Sequence, residues 1–587
     1  MKKTSNNQFT RASVPTILVI ACLAGSQAFA ADYFHLGGAD NVRFDSAALF
    51  SNTDGSTTAA TVAPGPSDNL FFYNSTLTGP VNLKLLLGGT ARTFNSMTFR
   101  SNAGTTQINR DVEGGGTGGN TVLSIGAGGI TLAAGAGALS FGKLAASGDN
   151  QRVTVGAVAS FTISNNSANA LTFNREFDGR TNNTTQVITV AGSGSGNTIF
   201  AGGILANSTG RDLAMVIDRT GAGVVRIEGA GTYTGGTTLN QGTLQVRSSS
   251  ALGSGGLAIN GGILASFISA RTLANNVTVG GNFTLGGSGH AITLNGTTNL
   301  GGGTRVITTA NTATFGGVIS NGGISKQGAG SLVLNAQNTY TGATSVTAGT
   351  LVIGASASTH ADSAVTISNS GSSLVVNGTI NGTLNANAST TLGGSGNVMG
   401  AATVAGALNP GNSAGLLSFS NSLTMADTTV TNMEILGLNR GTDYDGIDVG
   451  TNLTYKGLLS LALGTTFGTG SHTFNLFGLV NSPAGSFDSV ELTGSYAGTL
   501  SNSGGVWTTT TNTDNEIWSF DQATGDLSLT VVPEPSVTLL SGLSMLCLLR
   551  RRRTKPDPCG SHLRSPSHDH GLLTRSASPD PLQRTAI

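Results

Sequence analysis

The chain has 587 residues, of which 87 are glycine, 10% are charged and 5% are aromatic, and its formal net charge is zero. Residues 31–549 carry 18 Lys and Arg against 26 Asp and Glu, so basic ends hide an acidic body with a net charge of −8. That argues against nucleic-acid binding through a basic surface. The three cysteines, Cys22, Cys547 and Cys559, all lie towards the ends, which leaves the body without a disulfide, a thiolate metal site or a cysteine nucleophile.

The N-terminus opens with Lys2, Lys3 and Arg11, followed by the apolar run Val14–Ala24 and by Ala28-Phe29-Ala30 before Ala31. A basic start, a short apolar stretch and a small-x-small motif predict a secretory signal peptide over 1–30, cut by signal peptidase at Ala28-x-Ala30 ahead of Ala31. Val19-Ile20-Ala21-Cys22 offers a competing lipobox-like site, but cutting there leaves a very short apolar stretch.

From 31 to 405 the chain repeats itself. Residues 219–246 and 326–353 share 11 of 28 positions at an offset of 107, and the same offset relates Thr284–Gly289 to Thr391–Gly396. Duplicated blocks near 219–289 and 326–396 follow from this. Each block holds short runs rich in Val, Ile, Thr and Leu, such as Val224–Ile227 and Thr243–Val246, broken by Gly and Asn. Such runs read as strands. No charged residue occurs from Ser363 to Ala426. Stacked polar ladders tolerate that better than an ordinary globular surface. The predicted fold is all-β, a parallel β-helix (solenoid), in which each coil covers its neighbour's backbone edge.

The run G-A-G-x-L-V-L…N-T-Y-T-G-x-T-x-V-x-x-G-T-L-x-V at Gly328–Ile353, echoed at Gly221–Val246, resembles the autotransporter-associated β-strand repeat. The resemblance implies a right-handed β-helical passenger. The autotransporter's own C-terminal barrel has no counterpart here, because one short apolar run stands in its place.

Several motifs invite chemistry. Gly114-x-Gly116-x-x-Gly119 fits a dinucleotide fingerprint, but no helix follows it and glycine is abundant. Asp443-Tyr444-Asp445-Gly446-Ile447-Asp448 offers hard oxygen ligands for Ca²⁺, or else a turn entering a strand. His35, His290, His360 and His472 are scattered and are expected in turns. No catalytic residue, metal or cofactor is expected.

Leu408–Ser413 marks a break near residue 405, and 406–530 is read as further β coils or a cap. Then follow Val532-Pro533-Glu534-Pro535-Ser536, the apolar run Val537–Leu549, and Arg550, Arg551, Arg552 and Arg553. The apolar run predicts a single C-terminal hydrophobic helix of roughly 20 Å, shorter than a bilayer core of roughly 30 Å. Residues 531–553 resemble the PEP-CTERM sorting signal of Gram-negative bacteria. The resemblance implies that an exosortase-like enzyme recognises Pro533, Glu534 and Pro535, that Arg550–Arg553 serve as the membrane stop, and that inner-membrane insertion is transient. It also implies release to the cell surface or extracellular matrix. The Pro-, Ser-, Arg- and His-rich segment 554–587 is read as a disordered tail, which departs from that pattern. Together these features predict a secreted, non-enzymatic surface or matrix protein in contact with exopolysaccharide. The alternatives are a β-helical polysaccharide lyase or hydrolase, and a permanently anchored surface protein.

Overall fold

The computed structural model describes Ala30–Val532 apart from 37–41, 45, 74–82, 88–90, 103, 110–120, 143–152, 180–183, 206–210 and 510–515. The described residues up to Val531 belong to one compact unit, which the description below concerns. Ala28, Gly114–Gly119, the Pro533–Pro535 motif, the apolar run and Arg550–Arg553 lie outside the described residues. Within the described residues, no helix is long and apolar enough to cross a membrane.

The chain winds as a parallel β-solenoid. Strands alternate inward and outward side chains, so Val225 and Ile227, Leu244 and Val246, and Leu351 and Ile353 point into one continuous core while their neighbours face out. Each fully buried Val, Leu or Ile contributes about 1.5–3 kcal/mol. Successive coils stack in register. Leu244 pairs with Leu264, twenty residues on, and Leu264 with Leu285, twenty-one residues on. A first sheet runs from Asp32–His35 to Ile319–Ser320, and a second from Val42–Arg43 to Ala484–Gly485. A third begins at Arg271–Leu273 and continues through Ser489–Gly494, and a fourth runs from Thr379–Ile380 to Phe477–Leu479. Ladders run through residue 405, since Thr391–Gly394 pairs with Ala407–Pro410 and that strand with Val430–Ile435.

Coil length varies along the stack. Phe141, Phe173 and Phe200 lie over one another at spacings of thirty-two and twenty-seven residues, with ring centroids 5.0 Å apart in each stacked pair. Between such coils the corner must be tight. Gly192, at φ 123°, is one such corner: a Cβ there would sit 2.1 Å from the Asn165 carbonyl oxygen of the coil below. Glycine alone fits.

Antiparallel strands lie at both ends and cover part of the edge a solenoid would otherwise present. Phe50–Ser51 runs antiparallel to Asp32–His35. At the other end, strands from Gly470–Asn475 to Asp526–Val531 form an antiparallel sheet around Phe474, Trp518 and Phe520. His35 is not in a turn as expected. It ends the first strand, fully buried against Phe50 and Phe72, because the strand's alternation turns it inward beside Tyr33. Burial pushes its pKa down to about 4. His472 also lies in a strand, Gly470–Asn475, while His290 and His360 are in turns.

Two cations are buried in the core. Lys326 shares the column of Ile307 and Val346, and its Nζ donates to the carbonyl oxygens of Gln327, Gly328 and Ala348 at 3.0, 2.8 and 2.9 Å. Arg219 donates to Thr198 Oγ1 at 3.0 Å and to the carbonyls of Gly194 and Gly196 at 2.8 and 3.0 Å. Both cations donate to backbone carbonyls at the corners of the coils.

Candidate functional site

The two repeat segments share a local device. In each, a tyrosine is fully buried and its hydroxyl pairs with the threonine four residues on: Tyr233 with Thr237 Oγ1 at 2.6 Å, and Tyr340 with Thr344 Oγ1 at 2.8 Å. Burial pushes the Tyr340 phenol up to about 12 and the Tyr233 phenol higher still. These phenols stay neutral and act as core pegs.

Residues 219–246 and 324–353, the segments that carry this device, match the family model of the passenger-associated-transport-repeat. The chain carries repeats of the autotransporter-passenger type. Neither the curated proteins nor the solved structures give a significant match. Passenger repeats of this type imply a secreted or surface-exposed protein.

The solenoid's outer face presents polar ladders between coils. Asn95 Nδ2 donates to Asn69 Oδ1 at 2.8 Å, and Asn69 Nδ2 to Asp32 Oδ1 at 3.0 Å. Asn260 donates to Asn240 at 2.9 Å, and Asn321 to Asn299 at 3.2 Å. These pairings follow from stacking identical side chains at coil spacing.

A concavity opens in this surface. It lies where the chain leaves Ala407–Pro410 and loops towards Leu416–Phe419, and it is lined by residues 409–413 with Asn432, Glu434 and Asp445. Its volume is about 280 Å³. The loop turns at Gly411, whose φ of 79° and whose neighbour, the Ser413 carbonyl oxygen 2.1 Å from a notional Cβ, admit no side chain. The far wall is Asn432 and Glu434 of the strand Val430–Ile435, with Asp445; after that strand the chain makes an excursion in which Leu436 N donates to the Asp443 carbonyl at 2.8 Å.

The structure resolves the acidic cluster Asp443–Asp448 into separate tasks. Asp443 accepts from Asn439 N and Nδ2 at 3.1 and 2.6 Å. Asp448 pairs with Arg440 at 2.8 Å. Asp445 is buried, and its two oxygens accept the backbone N–H of Gly415 and of Glu434, both at 2.7 Å. The cluster is thus a turn feeding the strand Gly446–Val449. Among the described residues, no three His, Cys, Asp or Glu side chains gather as a metal group would require.

Glu434 and Asp445 nevertheless line the same concavity, a meeting that spacing along the chain did not reveal. Burial pushes the Asp445 pKa up to about 7, against the two N–H bonds that favour its charged form. A general acid must aim its proton at a substrate. Both Asp445 oxygens face backbone donors instead, so its geometry is that of a brace between the two loops. Of the signal-cleavage residues, Ala30 is exposed and Ala31 enters the fold, its N–H donating to Asp68 Oδ1 at 3.0 Å.

Proposed function

We propose that this chain is an exported, non-enzymatic solenoid that presents its polar ladders to exopolysaccharide at the cell surface or in the extracellular matrix. The passenger-type repeats at 219–246 and 324–353 are the observation that carries the reading. A continuous stack, with buried cations and phenols committed to carbonyls and threonines, supports presentation in preference to chemistry. Cleavage ahead of Ala31 fits the bond to Asp68, because a new α-ammonium at that nitrogen would meet a carboxylate. Sorting through Pro533, Glu534 and Pro535 by an exosortase-like enzyme, with Arg550–Arg553 holding the chain transiently in the inner membrane, completes the proposal.

The test is the intact mass of the protein recovered outside the cell. An N-terminus at Ala31 and a C-terminus near Pro533–Pro535 are expected. Extracellular material that retains Arg550–Ile587 would overturn the sorting step.

One observation favours a second reading, a carbohydrate-active enzyme: Glu434 and Asp445 share a concavity. Depolymerisation of purified exopolysaccharide, abolished by Glu434→Gln, would establish it. Unchanged polymer length would remove it.

A further inference from the structure

The concavity at residues 409–413 arises from a change in coil length. Upstream, the ladder from Ile380 to Val398 advances eighteen residues and that from Val398 to Phe419 twenty-one. The next step, from Phe419 to Val449, takes thirty. Most of the added chain is the excursion from Leu436 to Asp445, which leaves the strand Val430–Ile435 and returns where Asp445 accepts from Gly415 N. The two loops are tied at their base by Asp445, so the space between them is held open by a buried brace.

The polar inventory of this space is uneven. Asn432 Nδ2 donates to Asn409 Oδ1 at 2.7 Å, which orients both amides. Asn412 Nδ2 donates to Asn377 Oδ1 at 3.1 Å, which turns its oxygen outward. The Asn412 and Asn432 amide oxygens and Glu434 Oε1 then accept no hydrogen bond from any described residue, and the Asn409 amide nitrogen donates none. The lining holds two carboxylates and no Lys, Arg or His. A ligand here must therefore bring several donors, accept at least one, and carry no negative charge. A bare cation is too small for about 280 Å³. That volume lies near the lower end of small-molecule sites and suits a single ring.

We propose that this concavity is a binding subsite for one neutral, hydroxyl-rich pyranose unit. Its vicinal hydroxyls donate to Asn412, Asn432 and Glu434 and accept from Asn409. The proposal rests on the saccharide-contact reading above and gives it a location.

Saturation-transfer NMR and titration on the full exported chain test it, with methyl α-glucopyranoside, methyl β-galactopyranoside, galacturonate and CaCl₂ as separate probes. At least one neutral glycoside is expected to bind with a roughly millimolar Kd, galacturonate about tenfold more weakly, and CaCl₂ without competing. Asn432→Ala and Glu434→Gln should each weaken the glycoside about tenfold, the first by losing one hydrogen bond and the second by exchanging a charged acceptor for a neutral one. Glu434→Gln should also narrow the gap to galacturonate, which a merely structural role would not do. Backbone hydrogen exchange outside 405–450 should stay unchanged in both variants. Absence of binding by both neutral glycosides, binding that neither variant alters, or preference for galacturonate or Ca²⁺ would overturn the subsite. Cosedimentation with purified exopolysaccharide separates the two readings. If both variants cosediment like the parent chain and glycosides do not bind, the subsite falls and the wider reading stands. If glycosides bind but the polymer does not cosediment, the wider reading falls.

Discussion

Lys326 gives the sharpest test of how this solenoid is held together. It stands in the interior column between Ile307 and Val346, fully buried, with three carbonyl acceptors within 3.0 Å. Lys326→Met keeps the length and unbranched shape of the side chain and removes the charge. At neutral pH two effects oppose one another. The variant leaves three carbonyls without a charged donor, at about 1–3 kcal/mol each. It also removes the desolvation of an ammonium, which lowers the Lys326 pKa from 10.5 to about 8 and so corresponds to about 3 kcal/mol before the carbonyl dipoles are allowed for. The net expectation is a loss of about 2 kcal/mol at pH 7. The pH dependence carries the sign. The folded pKa is the lower one, so between pH 8 and 10.5 the unfolded chain binds more protons and stability rises with pH. The parent chain should therefore gain roughly 2–3 kcal/mol over that window and the variant should not. Buried phenols act in the opposite sense above pH 10, because the unfolded chain ionises first. They are common to both proteins and cancel in the difference. Urea unfolding, together with hydrogen exchange at Thr347, whose N–H donates to the Lys326 carbonyl at 3.0 Å, reads the effect locally. A variant more stable than the parent at pH 7, or a difference that stays flat from pH 8 to 10.5, would refute the reasoning.

Two further outcomes follow from the same physics. Tyr233→Phe should cost about 1–2 kcal/mol by stranding Thr237 in the core. Tyr340→Phe should cost less, because Thr344 also pairs with Ser363 Oγ at 3.3 Å; equal losses in urea titrations would show that this second partner does not compensate. His35 resists protonation to about pH 4 against an ordinary value of 6.5, so the unfolded chain takes up the extra proton and stability falls as pH drops through that window, by about 3 kcal/mol in full. His35→Phe, followed by thermal unfolding at pH 4.5 and 7, should remove most of that pH dependence.

Much of the architecture is legible in the strands themselves. Alternation at Val224–Ile227 or Ser331–Leu334 states which residues face inward, and glycine and asparagine mark the corners. The same parity contained a signal that hydrophobicity alone obscures. Ile324 and Lys326 share a face, as do Leu213, Met215, Ile217 and Arg219, so the period of two already places both cations inside. The candidate subsite was not legible. Leu408–Ser413 reads as a break and Asp443–Asp448 as a turn, but their meeting depends on a coil that grows from about twenty residues to thirty. Local pattern carries no information on that length.

The repeats themselves show why periodicity in sequence does not translate directly into position on the solenoid. Thr243–Val246 belongs to the second sheet, whereas its counterpart Thr350–Ile353, 107 residues on, belongs to the third. The tyrosine turns are displaced in the same way. The turn holding Tyr233 lies on the side where the third sheet later begins at Arg271–Leu273. The turn holding Tyr340 lies where the first sheet has ended at Ile319–Ser320 and the fourth has yet to begin at Thr379–Ile380, a gap spanned only by the isolated bridges of Ser358 with Gln337 and Thr379. In both places a buried phenol, held by the threonine that opens the next strand, fills core space that paired strand residues fill elsewhere. The repeat therefore encodes a strand, a peg and two further strands that close one coil, and it does so on whichever faces the preceding coils leave to it. Selection on such a unit would preserve the tyrosine, the threonine and the corner glycines while leaving the outward residues free to vary, the division of labour expected of a scaffold.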